Sequence, residues 1–356
     1  MAVLTINSGS SSLKASLFQP DGTRLNFRYE RIGSGGCKDH AAAFAALLHD
    51  LAGYRPRAIG HRFVHGGDIS DAARLIDTTE QARLASITHL APLHLPGNLL
   101  GVALCAQHFD APQIACFDTA FHATLPELAY RLPIPGELGL RRYGFHGLNY
   151  AHIARQLPAL LGDAAHGHVV VAHLGSGSSL CLLENLRSVD TSMGYTPAGG
   201  IVMGTRSGDL DPGVMLELAQ RFDAEELARL TYRKMGLLAL SEGLSSEMSE
   251  LTQSDSTAAR FAVEYYARQV RAAIGSYAAK VGGLDALVFT GGIGEHSVTV
   301  RTQVCATLGF LGFGLDPVAN RNHASQLNAQ NSKPILRVQA DEEAEIARLT
   351  RDNLAA

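Results

Sequence analysis

The stretch VLTINSGSSSLKASLF at residues 3–18 is decisive for the fold, because the same pattern of residues recurs as VVVAHLGSGSSLCLLE at residues 169–184. In each stretch an apolar β-rich run, a Gly/Ser turn and a second apolar run follow one another, which predicts a β-hairpin. The expected tips are the two SGSS tetrads, at residues 8–11 and 176–179. A chance recurrence of a common turn is the alternative. Two such hairpins opening two halves nevertheless favour a duplicated α/β domain with a cleft between the copies.

Strand-like and helix-like segments alternate along the rest of the chain. Strands are expected at residues 58–63, 113–117, 286–290 and 335–339, and helices at residues 41–51, 98–107, 149–161, 212–221, 224–234, 257–281 and 341–354. The long helix carries an apolar stripe that we expect to be buried in its own domain: Ala262, Tyr266, Val270, Ile274, Tyr277 and Val281. This alternation indicates mixed α/β layers.

Length and composition narrow the class of protein. A chain of 356 residues suggests two domains. Thirty basic against 34 acidic residues give a net charge of −4, and no run of Lys or Arg is present. Nucleic-acid and membrane-surface partners are therefore not favoured. The five cysteines form no CxxC pair, and the chain has neither a signal-peptide pattern nor a long apolar run. We therefore expect a cytoplasmic location.

Three glycine-rich turns follow predicted strands, at residues 7–12, 175–179 and 291–294. Backbone N–H groups in such turns can cradle a phosphate. None of the three matches the GxxxxGK[ST] or GxGxxG patterns, which argues against a Walker-type or dinucleotide-binding unit. Together they favour a nucleotide held between two domains.

Arg and His stand beside Gly in three short clusters, GHRFVHGG at residues 60–67, RRYGFHG at residues 141–147 and MGTRSGD at residues 203–209. An Arg fork suits phosphate or carboxylate, while an ordinary salt bridge is the alternative. Asp118 follows an apolar strand, where α/β folds place catalytic groups, although a capping role is equally open. His94, His122 and His146 lack metal-ligand spacing, so packed or hydrogen-bonding histidines are expected.

Ten segments in order resemble the acetate/propionate kinase family of the actin-like, sugar-kinase and Hsp70-like superfamily. They are INSGSSSLK, GHRFVHGG, LAPLHLPGNLLG, CFDTAFHATLP, RRYGFHG, HLGSGSS, SVDTSMGYTP, MGTRSGDLDPG, VFTGGIGEHS and DEEAEIA, and they run from residue 6 to residue 347. The resemblance implies an α/β fold of two duplicated actin-like (ribonuclease H-like) domains with the active-site cleft between them. Residues 1–118 plus 343–356 would form the first domain, and residues 119–342 the second, with the nucleotide site and a dimer interface.

The resemblance also implies an activity, namely reversible Mg²⁺-dependent phosphoryl transfer from ATP to acetate, which gives acetyl phosphate and ADP. Mn²⁺ is an alternative ion, and a homodimer without nucleic-acid or membrane partners is expected. A propionate or broader short-chain carboxylate kinase is one alternative. A non-catalytic nucleotide-binding sensor on the same fold is another, and a sugar kinase or chaperone-type ATPase would lack RRYGFHG and MGTRSGDLDPG.

Residue by residue, the resemblance assigns a site. Asn7 and Glu342 would hold Mg²⁺, and Lys14 with Ser10 and Ser12 would lie near the phosphates. Asp118, His146 and Arg206 would be catalytic. The acetate side would consist of Arg62, Val64, Leu93, His94, Phe145 and Pro197. The ATP side would consist of His173, Leu174, Gly175, Ser176, Gly177, Glu247, Met248, Ser249, Gly292, Ile293, Gly294, Glu295 and His296.

Some residues depart from the family pattern or suggest a finer interpretation. Ser176 stands where the family usually has Asn, and residues 247–249 replace an Asp–aromatic–Arg triplet, so an Arg that would lie against adenine is missing. Val64 keeps the substrate pocket small, which predicts weaker use of propionate than of acetate. Because acetate is already ionised at pH 7, its attack needs no base. We therefore expect Asp118 mainly to position Mg²⁺, directly or through water.

Overall fold

The chain forms two compact units in a computed structural model that describes residues 1–9, 12–33, 35–92 and 94–355. Unit 1 comprises Met1–Ala123, Phe145–His152 and Asp341–Ala356, and unit 2 comprises Thr124–Gly144 and Ile153–Ala340. The segment Phe145–His152, which carries part of the RRYGFHG cluster, groups with unit 1. The domain boundaries expected from the resemblance, 1–118 plus 343–356 and 119–342, stay a prediction.

Eleven strands in the described ranges form two sheets. They are β1 (Val3–Ser8), β2 (Leu13–Phe18), β3 (Arg24–Tyr29), β4 (Ala58–Phe63), β5 (Ala73–Leu75), β6 (Gln113–Phe117), β7 (His168–Leu174), β8 (Ser178–Glu184), β9 (Arg187–Thr191), β10 (Ala286–Thr290) and β11 (Ile335–Arg337). The strand order is β3-β2-β1-β4-β6-β5 in unit 1 and β11-β10-β7-β8-β9 in unit 2.

Five strands of each sheet share one topology, which confirms the duplicated α/β domain, and β5 adds a sixth, antiparallel strand in unit 1 alone. Strands β1, β2 and β3 form an antiparallel meander, and β4 and β6 then add in parallel beside β1. Strands β7, β8 and β9 repeat the meander, with β10 and β11 added in parallel beside β7. Both predicted hairpins are present. The second turn is shorter than expected because β8 already begins at Ser178.

Fourteen α-helices cover these sheets in the part of the chain that the structure describes. They are α1 (His40–Asp50), α2 (Thr78–Ser86), α3 (Leu95–His108), α4 (Glu127–Tyr130), α5 (Gly147–Leu161), α6 (Pro212–Arg221), α7 (Ala224–Arg233), α8 (Gly236–Leu240), α9 (Met248–Gln253), α10 (Thr257–Val281), α11 (Gly291–His296), α12 (Val298–Cys305), α13 (Pro317–Arg321) and α14 (Glu342–Ala355). The prediction of a glycine turn at residues 291–294 is wrong, because these residues open α11.

Two helices matter most for the site. Helix α10 buries the predicted stripe in the core of unit 2, where Tyr266, Val270 and Ile274 are fully buried. Helix α14 packs across β1 and β4 of unit 1, which brings its first residue, Glu342, to the ends of these strands. None of the described helices is both long and apolar enough to cross a membrane.

Candidate functional site

Three predicted site residues of unit 1 lie at the carboxyl ends of neighbouring parallel strands. Asn7 is near the end of β1, Arg62 is near the end of β4, and Asp118 directly follows β6. Since β1, β4 and β6 run in the same direction, their ends meet at one edge of the sheet. Open α/β sheets bind their ligands outside such an edge.

An Arg fork joins these three residues. Nε and Nη2 of Arg62 donate to Oδ2 of Asp118 at 3.0 and 2.6 Å, and Nη1 donates to Oδ1 of Asn7 at 3.0 Å. The Asp118 side chain is fully buried, while 14% of the Arg62 side chain stays exposed. The guanidinium is therefore held in one orientation by two partners, in a geometry that the point charge of a Lys cannot reproduce.

The first turn of α14 completes this arrangement. Nδ2 of Asn7 donates to Oε2 of Glu342 at 2.8 Å and to Oε1 of Glu343 at 3.1 Å. Arg24, which the sequence did not suggest, pairs with Oδ2 of Asp341 at 2.6 Å and lies 3.8 Å from Glu343. The carboxylates of this helix start are therefore shared between an amide and a guanidinium.

Burial and charge shift the titration of the central pair. Burial has the largest effect on the pKa of Asp118, Arg62 opposes it and Glu342 adds to it, so the pKa is raised to about 6. Burial alone would lower the pKa of Arg62, but the attraction of Asp118 and Glu342 outweighs it and raises this pKa above its ordinary value. Arg62 is therefore charged at neutral pH.

The donor set at this edge fits a hard divalent cation. Oδ1 of Asp118 is buried and accepts no hydrogen bond of normal length from the described residues. Carboxylate and amide oxygens, here of Asp118, Glu342 and Asn7, are the ligands that Mg²⁺ prefers. Among the described residues, no three His, Cys, Asp or Glu side chains gather closely enough to hold a metal alone. A cation here would therefore take further ligands from water and phosphate, as Mg²⁺ does.

The segment before α5 places two more predicted residues in unit 1. Phe145 is buried against the edge of His65, with ring centroids 5.7 Å apart. His146 has a left-handed backbone with φ of 61°, which marks a residue held by its surroundings. Gly147 donates its N–H to the Asp118 carbonyl at 3.0 Å, and a Cβ there would lie 1.9 Å from that oxygen. This contact requires glycine and fixes His146 beside the end of β6.

The remaining predicted residues of unit 1 are less tightly defined. Lys14 on β2 is the cross-strand partner of Asn7, so both side chains share one face of the sheet. Val64 is buried directly after β4, and His94 stands at the N-cap of α3. Ser12 is partly buried, whereas Ser10 and Leu93 lie outside the described residues. His122 is buried with Nε2 3.0 Å from the Phe145 carbonyl, as expected of a packed histidine.

In unit 2, the predicted nucleotide residues follow the equivalent strands. His173 and Leu174 end β7, and Gly175 to Gly177 form the turn to β8. Arg206 and Pro197 lie together between β9 and α6, where Nη1 of Arg206 donates to the Pro197 carbonyl at 2.7 Å. This contact joins Arg206, to which the resemblance assigns a catalytic role, to Pro197, which it assigns to the acetate side.

A cavity of about 300 Å³ lies between the β7–β8 turn, α9 and α11 of unit 2. Its lining residues are Gly175, Ser176, Glu247, Met248, Ser249, Thr252, Gln253, Gly292, Ile293, His296 and Ser297. Eight of these were predicted. Thr252, Gln253 and Ser297 were missed. The helical spacing of Thr252 and Gln253 from Met248 and Ser249 was a usable signal. The other predicted residues do not line the cavity: His173, Leu174, Gly177, Gly294 and Glu295.

Known proteins resemble the chain over nearly its whole length. The model of the acetokinase family matches residues 29–348. An acetate kinase from Rhodopseudomonas palustris is 42% identical, with 97% of this chain and 96% of the relative covered. The propionate kinase PduW from Salmonella typhimurium is 41% identical, with 93% and 91% covered. A propionate kinase structure from Francisella tularensis superposes with a TM-score of 0.89 at 33% identity, with 99% of both chains covered.

These matches agree with the topology of the two sheets, which is that of a two-domain actin-like fold. The matched range contains the Arg62–Asp118 pair, the residues that line the cavity of unit 2 and Glu342. The chain belongs to the acetokinase family.

Proposed function

We propose that this protein catalyses reversible, Mg²⁺-dependent phosphoryl transfer from ATP to acetate, giving acetyl phosphate and ADP by direct in-line attack. The observation that carries this proposal is the buried pairing of Arg62 with Asp118 and Asn7 at the strand ends of unit 1. A fixed guanidinium beside carboxylates and an amide suits a reaction whose reactants are an anion and a metal-bound polyphosphate.

The side chains take separate roles in this proposal. When bound, Mg²⁺ neutralises charge on the phosphate oxygens. Its protein ligands would be Asn7, Glu342 and Asp118. Arg62 and Arg206 bind the acetate carboxylate and the transferring phosphoryl group. His146 donates a hydrogen bond to the phosphoryl group. Asp118 holds the fork of Arg62 in place through Oδ2. It takes no proton, because a carboxylate acceptor is already ionised.

The cavity of unit 2 takes the nucleoside part of ATP. Apolar Met248 and Ile293 offer contact to the base, and the carboxamide of Gln253 and the carboxylate of Glu247 offer polar contacts. The turn at residues 175–177 receives the phosphates through its backbone N–H groups. Neither Lys nor Arg is among the described lining residues, so no cationic side chain of this lining lies against the base.

The direct test measures acyl phosphate as hydroxamate, with acetate, propionate and butyrate as acceptors and ATP, GTP and pyrophosphate as donors. We expect activity with ATP and acetate, a lower kcat/KM for propionate, and no activity with pyrophosphate. A higher kcat/KM for propionate than for acetate would favour the propionate kinase alternative, to which the PduW relative gives weight. Nucleotide binding without hydroxamate formation would favour the sensor.

The oligomeric state and the cellular compartment are also part of the proposed function. We expect a homodimer, as the resemblance implies, and light scattering of the purified protein tests it directly. We also expect a cytoplasmic enzyme. All five cysteines are free, which suits a reducing compartment.

A further inference from the structure

Helix α11 forms one wall of the cavity in unit 2, yet it has only six residues. An isolated helix of this length is not stable in water, because too few hydrogen bonds offset the cost of nucleation. Its position therefore depends on groups outside the helix. Two charged side chains with little or no exposure to solvent, Glu295 and Arg301, contact its opposite ends.

Glu295 holds the first residue of the helix. Its Oε1 accepts the N–H of Gly291 at 3.0 Å and the N–H of Ala340 at 2.9 Å, and the side chain is 8% exposed. Gly291 has a φ of 77°, and a Cβ at this position would lie 2.7 Å from the Leu174 carbonyl. The carboxylate thus fixes the point at which α11 meets the end of β7 and the phosphate turn.

Arg301 holds the other end. Its Nη1 donates to the carbonyls of Gly294 and Glu295 at 2.8 and 2.9 Å, and its Nε and Nη2 donate to Asn320 at 2.7 and 3.1 Å. The residue is fully buried, and none of the described carboxylates pairs with it. A negative group at the start of a helix and a positive group at its end both match the helix dipole.

We propose that Glu295 and Arg301 are positioning residues that hold α11 as the wall of the nucleotide cavity, and that Glu295 does not contact the nucleotide. The inference rests on the proposed function, since it assumes that the cavity takes a nucleoside. Two backbone N–H groups already occupy Oε1 of Glu295, and Oε2 lies 4.0 Å from Nε2 of His296, which lines the cavity in place of Glu295. The negative charge of Glu295 therefore stabilises backbone N–H groups of the protein and does not repel the phosphates.

The test compares Glu295→Gln with Glu295→Ala. One amide oxygen can still accept both N–H groups, so Glu295→Gln keeps KM for ATP within about twofold of the wild type, whereas Glu295→Ala raises it about tenfold. KM for acetate changes little in either variant. Calorimetric titration with ADP gives the same order of affinities without turnover. The ratio of kcat/KM for ATP to that for 2′-deoxy-ATP stays constant, because the carboxylate does not contact the ribose.

Two further variants separate positioning from general stability. Arg301→Met removes the other support and raises KM for ATP with an unchanged KM for acetate. Val304→Ala is the matched control, since this residue of α12 is buried in the same core. Its side chain is apolar and cannot form a hydrogen bond with either end of α11. It lowers the melting temperature and leaves ADP affinity unchanged.

Several outcomes would overturn the inference. A Glu295→Gln variant as weak as Glu295→Ala, or a changed preference for 2′-deoxy-ATP, would mean that the carboxylate contacts the nucleotide. An unchanged ADP affinity in Glu295→Ala would remove the positioning role. If the wild type bound ADP but did not phosphorylate acetate, the proposed function alone would fail. If it did not bind ADP, both would fail.

Discussion

Strand β4 of unit 1 and strand β10 of unit 2 occupy the same place in their sheets, directly beside the first strand of each hairpin. Strand β4 reads AIGHRF and contains His61 and Arg62, whereas β10 reads ALVFT and is buried throughout. The same topology therefore carries charge at its strand ends in unit 1 and an apolar strand leading to a short helix in unit 2. The duplicated scaffold does not determine the chemistry of each copy.

This difference predicts two kinds of sensitivity to substitution. In unit 1, guanidinium, carboxylate and amide groups contact one another at fixed distances, so the identity of each side chain matters. In unit 2, the only described lining residues with ionisable side chains are Glu247 and His296, and backbone and small residues form much of the wall. Departures from the family pattern at residues 176 and 247–249 fall in this more tolerant unit.

The largest effect is expected from Arg62→Lys. A Lys ammonium cannot bond Asp118 twice and Asn7 once, so the charge remains but its orientation is lost. We expect kcat to fall about 100-fold or more, as for the loss of one preorganised donor. The rate of hydroxamate formation at saturating ATP, Mg²⁺ and acetate measures kcat. Arg221→Lys, in an exposed ion pair with Glu217, serves as the control and keeps full activity.

A loss in kcat smaller than about tenfold in Arg62→Lys would contradict the proposed difference between unit 1 and unit 2. It would mean that unit 1 uses charge alone, without a fixed geometry. The Arg62–Asp118 pairing would then be an ordinary salt bridge, which was the alternative that the sequence left open.

Low pH should also affect unit 1 differently from unit 2, because β4 buries a histidine, His61, and β10 does not. Burial lowers the pKa of His61 to about 4, and its Nε2 lies 2.6 Å from Oε1 of Gln113. Above pH 6.5 neither the folded nor the unfolded state protonates this residue. As the pH falls from 6.5 to 4, only the unfolded state takes up the proton, so the free energy of unfolding drops by roughly 3 kcal/mol.

Urea unfolding is followed by circular dichroism, since the chain has no Trp for fluorescence, and should show a loss of about 2 kcal/mol between pH 7 and pH 5. His61→Gln can keep the bond to Gln113 and lacks the titrating ring, so its stability should depend less on pH. His108→Gln, at an exposed position, should behave like the wild type. Parallel pH profiles for the wild type and His61→Gln would show that the buried ring does not drive acid unfolding.

Local sequence patterns predicted the elements whose structure depends on local contacts. The Gly/Ser tips between apolar runs located both hairpins, and the helical stripe located α10 with both of its ends. Parallel pairing then brings together strand ends that are far apart in sequence, which explains how Asn7, Arg62 and Asp118 could be proposed as one site.

Other features depend on partners that no local pattern reveals. The glycines of residues 291–294 predicted a turn, but Glu295 and Arg301 support a helix there through contacts with Ala340 and Asn320. Arg24 finds its partner Asp341 across 317 positions of sequence, and neither residue stands out locally. Such long-range polar contacts are what the sequence alone did not supply.

A smaller effect is expected where unit 1 offers an apolar wall. Val64 is 3% exposed directly after β4, and Val64→Ala removes two methyl groups, which leaves space for the extra methylene of propionate. We expect the ratio of kcat/KM for propionate to that for acetate to rise about tenfold, within the range of about 1–3 kcal/mol for one methylene. An unchanged ratio would place the acceptor pocket elsewhere.

The smallest effect is expected in the wall of the nucleotide cavity. Ile293 on α11 is partly buried and lines this cavity, so Ile293→Ala removes apolar contact without removing charge. We expect KM for ATP to rise about fivefold, equivalent to about 1 kcal/mol, with kcat nearly unchanged. Phe310→Ala, at a residue of unit 2 that is 79% exposed, is the control. A fall in kcat comparable to that of Arg62→Lys would contradict the contrast between the two units, because an apolar wall should contribute to binding and not to the charge balance of the reaction.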